Sequence, residues 1–238
     1  MMRFESVRGR LCAPGLAAGL LMVMLAAGCG GGASTPSAAQ IIAQSATRTA
    51  AVKSFHVVVS VEHVPSPAAG MSIKFLEGDL VVPNRLHAHI SGTLQGVSLT
   101  TELIAVGTKY FLKDPFTGVW RAVDLATTPM AFFDPAKGVL AVIKGARSAA
   151  TSGSEEVDGV ASYRLTANVR ANALTPLLGN PATAELLPVE LWIGKPDMLL
   201  RRIRLAGPIT SSESKAAART IELSAFGEPV RIVAPTLP

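Results

Sequence analysis

From Phe55 onward, apolar and polar side chains alternate in short runs that end at turn residues. Phe55, Val57, Val59 and Val61 fall on one side and His56, Ser60 and Glu62 on the other, the two-residue period of a strand, although Val58 breaks the polar side. The same reading predicts strands at 73–82, 85–91, Val97–Val106, Lys109–Lys113 and Trp120–Val123. Breaks fall at 65–70, at Pro83 with Asn84, at 92–96, at Gly107 and at 114–118. The pattern changes after Thr127. Asp134 before Pro135 is a helix start, a capping carboxylate ahead of a proline at the first helical position. Val139, Leu140, Val142 and Ile143 continue it as a short, strongly apolar helix. Strands resume at 149–157, turn at Asp158 and Gly159, and return at 160–169 with Tyr163, Leu165, Ala167 and Val169 on one side. Residues 171–178 predict a further short helix, and 189–194, 199–206 and 219–226 close the sheet. Ahead of every strand, 41–52 reads as a helix with Ser37 as its N-cap. The sum is α+β: one long antiparallel sheet with a few short helices. Several strands are apolar on both faces, as at Ile104, Ala105 and Val106, so helices must cover one face.

The first thirty residues follow a different rule. Arg3, Arg8 and Arg10 precede an uncharged apolar stretch from Leu16 to Ala27, which ends in Gly28 and Cys29. A basic start, a short apolar run and small residues describe a secretory signal peptide. A cysteine directly after them is the mark of a bacterial lipobox, with diacylglyceryl transfer to the thiol and cleavage before Cys29. Ala26 stands where that pattern usually has leucine. An ordinary signal peptide with a chance cysteine is the alternative; a membrane-spanning helix needs about 20 apolar residues, and this run is short and interrupted. The expected layout is a signal peptide at 1–28, a Gly, Ser, Thr and Pro tether at 29–38, and one domain at 39–238.

Cleavage would remove three arginines and one glutamate, lowering the formal net charge from +5 to +3. That surplus is too small for nucleic-acid binding, which shows as clustered Lys and Arg; mild attraction to anionic headgroups stays open. Cys12 would leave with the signal, so Cys29 would be the one mature cysteine and no intrachain disulfide could form. Aromatic residues are 5% and charged residues 16% of the chain, few of the groups from which dense catalytic sites are built.

The candidate chemistry is correspondingly thin. No Gly-x-Ser-x-Gly elbow is present. Gly30 to Gly32 have no strand leading into them and read as a linker, not a phosphate loop. His87 and His89 share a strand face, but no carboxylate stands beside them in sequence, so exposed strand histidines are the reading preferred over a metal site. Glu155 and Glu156 fit a solvated hairpin better than paired acid–base catalysis. Arg201, Arg202 and Arg204 form the one basic cluster, read first as a solvated sheet face and second as a contact for anionic headgroups. No cofactor is expected, and the chain is expected to act as a monomer without enzymatic activity.

Three segments carry a resemblance. They are Leu76-Glu77-Gly78-Asp79-Leu80; Asp134-Pro135-Ala136-Lys137-Gly138-Val139-Leu140; and Leu187-Pro188-Val189 through Trp192 and Ile193, returning in Phe226-Gly227-Glu228-Pro229-Val230. In this order, behind a lipobox, they resemble the mycobacterial LppX, LprA, LprF and LprG lipoproteins across nearly the whole mature chain. The sequence departs from that pattern at Phe226, where a larger aromatic is common, and at Lys144 and Gly145, which cut the helix after Asp134 short. The resemblance implies a LolA/LolB-like half-barrel whose helices fill its concave side around a cavity for acyl lipids or glycolipids. It also implies anchoring through Cys29 on the outer face of the plasma membrane, transport of lipid into the cell envelope, and in some members work with a transporter in that membrane. On residues alone, the apolar helix faces read first as a packed core. With the resemblance, Phe75, Leu99, Leu103, Val139, Leu140 and Ile143 are expected to line an apolar ligand site. An anchored sensor or accessory module that binds a protein partner is the alternative.

Overall fold

Ser37 is the N-cap of α1 (Ala38–Ala50) in a computed structural model. Its hydroxyl accepts from the Gln40 backbone N–H, while the Gln40 side chain accepts from the Ser37 N–H at 2.9 Å, the reciprocal capping box. The helix therefore starts directly after the expected cap, three residues earlier than its apolar positions alone indicate. Ile41, Ser45 and Thr49 are buried along one face, spaced four residues apart. The structure describes residues 35–65, 71–124, 135–174, 186–209 and 212–238. Cys29, the expected signal and lipobox segment and Asp134 lie outside them. Pro36–Pro238 form one unit.

The strands run as two meanders. β1 (Ser54–Glu62), β2 (Met71–Val81), β3 (Arg85–Leu94), β4 (Val97–Val106), β5 (Lys109–Lys113) and β6 (Trp120–Val123) step outward to one edge. The chain then passes through α2 (Pro135–Gly145) to the opposite edge, where β7 (Arg147–Val157), β8 (Val160–Arg170), β9 (Leu186–Gly194), β10 (Leu200–Ala206) and β11 (Ala218–Ser224) step back. β11 pairs antiparallel with β1, so the described residues form one open eleven-stranded sheet, a half-barrel, with β1 near its middle. The route from one edge to the other requires a connection across the concave side, and α2 belongs to that connection. It packs against α1, β8 and a single 3-10 turn at Ala171–Leu174. That turn replaces the first part of the short helix expected at 171–178, and residues 175–178 lie outside the described ones. Asp158 and Gly159 both take positive φ, as a two-residue hairpin turn demands.

Alternation then sorts the side chains. Val57, Leu76, Ala88, Leu191, Ile203 and Ile221 point inward, where they join Ile41 of α1 and Val139, Val142 and Ile143 of α2 in one buried apolar cluster. His56, Glu77, Asp79, His87, His89 and Glu102 occupy the alternate, outward positions. The doubly apolar stretch of β4 resolves the same way. Ala105 faces the main cluster, while Ile104 turns outward and packs with Phe111 under Ile232 of the C-terminal segment, whose carbonyl accepts from Arg85 Nη1 at 2.7 Å. β7 has little apolar content, and along it only Val157 is buried.

Candidate functional site

The concave face and the two helices over it gather most of the expected lining residues. Leu103 on β4 and Val139 and Ile143 on α2 lie in the main apolar cluster, at 3%, 2% and 0% exposure. Leu140 on α2 and Leu99 on β4 are half-buried. Leu99 shares its side of the strand with Thr101 and Leu103, because β3 and β4 pair without interruption from Arg85↔Val106 to Leu94↔Val97. Phe75 is a correction. It stands on the outer face with Glu77 and Asp79, 37% exposed, opposite Ser60 and Ser91. The β2–β3 register shifts between Ile73 and Phe75, and such a bulge reverses which face a residue meets. Ile73 accordingly packs against the inner cluster while Phe75 does not.

α2 is held by its surroundings more than by its own sequence. Gly138 and Gly145 each cost about 1 kcal/mol of helix propensity relative to alanine, and Val139, Val142 and Ile143 are β-branched. Burial of its apolar stripe offsets this. At its C-terminal end the approach is close: a Cβ on Gly145 would lie 3.3 Å from Val169 Cγ1 on β8. α1 is tied to the sheet by a buried hydrogen bond, in which Leu200 N–H donates to Thr49 Oγ1 at 3.2 Å. The concave side also holds an ion pair: Arg219 Nη2 meets Glu213 Oε1 at 2.7 Å with both side chains nearly buried. Glu213 also accepts from the Ile209 N–H at 2.9 Å, so the pair is internally satisfied on the acidic side.

The outer face spends its charges in pairs. The Arg201, Arg202 and Arg204 cluster is dispersed by a register shift between Leu200 and Arg202. Arg201 is buried and bound to Asp197, with its guanidinium 5.0 Å from the Phe226 ring. Arg202 meets Glu222 at 2.7 Å and Glu155 at 3.3 Å, and Arg204 lies 3.7 Å from Glu190. These partners leave no joint cationic patch for headgroups. Arg164 is bound to Glu190, whose carboxylate raises the guanidinium's pKa above its ordinary value. Trp192 lies between Arg164 and Arg202, 5.4 and 5.3 Å from its ring, and donates from Nε1 to Glu155 Oε2 at 2.9 Å. Glu155 thus accepts from both Trp192 and Arg202.

One outer-face grouping was missed by reading neighbours in sequence. Glu102 lies directly across from His89 on the β3–β4 ladder, and its Oε2 is 3.2 Å from His87 Nε2. The signal was available: pairing backward from the Gln95–Gly96 turn brings position 102 opposite 89. Lys113 Nζ donates to Glu102 Oε1 at 2.6 Å. That bond, with a smaller contribution from His87, holds the Glu102 carboxyl below its ordinary value against the opposing effect of burial.

The model of the LppX_LprAFG lipoprotein family matches residues 37–232. The lipoarabinomannan carrier protein LprG of Mycobacterium leprae (strain TN) is 26% identical over 222 residues, 88% of this chain and 89% of that protein. LprG of Mycobacterium tuberculosis (strain ATCC 25618 / H37Rv) is 24% identical over 230 residues, 92% and 93% of the two chains. Among solved structures, LprF from Mycobacterium bovis superposes with a TM-score of 0.64 at 22% identity, covering 83% of this chain and 96% of that one. Mycobacterium tuberculosis LppX gives 0.58 at 19%, covering 81% and 96%. At these identities the structural likeness establishes the fold.

Proposed function

The chain belongs to the LppX_LprAFG lipoprotein family, and from that footing we propose that it is a non-enzymatic lipid carrier. It takes the acyl chains of lipids or glycolipids between the concave face of the half-barrel and its helices. It moves them from the plasma membrane into the cell envelope. The observation that carries this reading is the single apolar cluster joining the inner sheet face to α1 and α2. The curated relatives named as lipoarabinomannan carriers support it.

The physics requires shielding and no bond chemistry. Each methylene exposed to water costs about 0.8 kcal/mol, so two sixteen-carbon chains crossing an aqueous gap would cost roughly 25 kcal/mol. Apolar walls remove most of that cost. Leu103, Val139 and Ile143 form the inner wall in this reading, and the half-buried Leu99 and Leu140 its margin. Loading lifts α2, and the sheet then exchanges helix contacts for acyl contacts. Because both are apolar, the exchange costs far less than exposing the same area to water at about 25 cal/mol per Å². A helix carrying two glycines and three β-branched residues suits such a movement.

Cys29 supplies the anchor. Cleavage after residue 28 and acylation of the thiol would hold residues 39–238 on the outer face of the plasma membrane through the tether at 29–38. Two or more acyl chains are needed for a lasting hold. A transporter in the same membrane is the natural source of the cargo.

The test is to express the chain from residue 29 with Cys29→Ser, extract it with organic solvent, and identify co-purifying lipid by mass spectrometry. Stoichiometric acyl lipid is expected, and Leu99→Asp with Leu140→Asp should strip it while the domain stays folded. A folded, lipid-free preparation that also refuses an added acyl lipid would overturn the carrier reading and leave an anchored module for a protein partner.

A further inference from the structure

We propose that His87, His89 and Glu102 form a zinc-binding site on the outer face of the half-barrel, separate from the concave lipid surface. His87 and His89 stand two apart on β3, so both imidazoles leave the same face of the strand. Glu102 on β4 is the direct cross-strand partner of His89. One ligand atom from each of the three lies within 4.8 Å of the others. A tetrahedral zinc ion with bonds of about 2.0–2.1 Å holds its donors roughly 3.3 Å apart. The three side chains are exposed or half-buried, so small side-chain rotations bring the donors in without moving the strands.

The surroundings favour a ligand role for this group over its neighbours. The two outward carboxylates on the other flank of β3, Glu77 and Asp79, are engaged by His56, at 3.4 Å and 2.8 Å. No hydrogen bond joins His89 to another of the described residues, and its ring lies 5.3 Å from that of His87, centroid to centroid. Lys113 holds Glu102 through Oε1 and leaves Oε2 turned toward His87. A second group that orients a ligating carboxylate is a regular feature of metal sites. Two imidazoles and one carboxylate make a borderline donor set suited to zinc, with the fourth position open to water. The bound ion would cross-link β3 to β4 midway along their ladder.

The experiment titrates zinc alone into the full chain in detergent, read by calorimetry and by thermal unfolding, with cobalt substituted for its absorption spectrum. A saturable one-to-one isotherm, a rise in Tm on adding zinc, and a tetrahedral cobalt spectrum are expected. His87→Ala, His89→Ala and Glu102→Gln should each weaken binding by more than the roughly 10–100-fold that loss of an outer partner costs. Measured against its own Tm in the presence of chelator, each variant should lose the zinc-dependent rise. His56→Ala should bind as the parent does. Absence of saturable binding, parent-like affinity in the three variants, or loss of binding in His56→Ala would each overturn the site.

Discussion

Gly78→Ala should destabilise the domain, although alanine is intrinsically the better strand residue. Gly78 is buried on the inner side of β2, between Leu76 and Leu80 and directly opposite Ala88 on β3. A Cβ added there would lie 2.2 Å from the His87 carbonyl oxygen and 2.6 Å from Ala88 Cα. Both obstacles are backbone, so no rotamer change relieves them. The two strands must separate, which strains the ladder that also carries Glu77↔His89 and Asp79↔His87. Overpacking of this kind costs about 1–3 kcal/mol, and a rigid obstacle belongs at the upper end. The entropic gain of glycine to alanine returns about 0.5–1 kcal/mol. The net loss is about 2 kcal/mol, or a fall in Tm of about 4–8 °C for a domain near 200 residues. Urea denaturation followed by tryptophan fluorescence measures it, with an unchanged slope showing that the native state is otherwise intact. A variant as stable as the parent would mean that β2 and β3 have room there, and the argument from strand approach would be wrong.

Two further outcomes follow from the same structure. Thr49→Val keeps the shape of the side chain but leaves the buried Leu200 N–H without its acceptor; a loss of about 1–3 kcal/mol is expected in chemical denaturation, and unaltered stability would remove Thr49 as the tie between α1 and the sheet. Acid should weaken the fold through Glu102 and Asp114. Glu102 is depressed chiefly by Lys113, and Asp114 by the backbone N–H groups of Thr117 and Phe116. Because the folded values are lowered, their stabilisation is complete above the ordinary values of 4.5 and 3.8 and is lost as pH falls through the depressed ones. Urea midpoints measured from pH 7 downward should therefore hold to about pH 4.5 and then decline. The decline should be shallower in Glu102→Gln; parallel curves would contradict the assignment.

The strands were legible because their information is local. Alternation and turn residues such as Asp158–Gly159 act within a few positions, and Ser37 announces α1 in the same way, whereas β3 runs on through Gly92 to Leu94, past the break expected at 92–96. What escaped depends on register. Phe75 looks like a core residue by type, yet its neighbours Glu77 and Asp79 already mark its side of β2 as polar, and the shift after Ile73 separates it from the inner face. Arg201, Arg202 and Arg204 look like a cationic patch until the shift after Leu200 turns Arg201 inward. Glu102 is 13 residues from His89 in sequence, yet it is that histidine's cross-strand partner. The pairing of β11 with β1 joins residues more than 150 positions apart, and no turn specifies it. Burial of both inner faces against the helices does.

Register is also where fold and function meet. A one-residue slip in any strand would exchange its inner and outer sets, placing residues such as Glu77 or Arg202 on the concave face and Leu76 or Ile203 in water. An inner face that packs against two apolar helix stripes tolerates neither exchange. The chain carries several devices against it. The small pair Gly78 and Ala88 fits only in its present alignment. Cross-strand contacts on the outer face, His56 with Asp79 and Arg202 with Glu222, reward the same alignment. The tail contributes as well: Gly227 N–H donates to the Ser54 carbonyl at 2.9 Å, Ser54 Oγ donates to the Glu228 carbonyl at 2.6 Å, and Phe226 packs near Phe55. These contacts pin the start of β1, the strand from which both meanders are measured. The sparse charges of this sequence therefore act mainly as register marks, and keeping the inner face apolar is what their placement achieves.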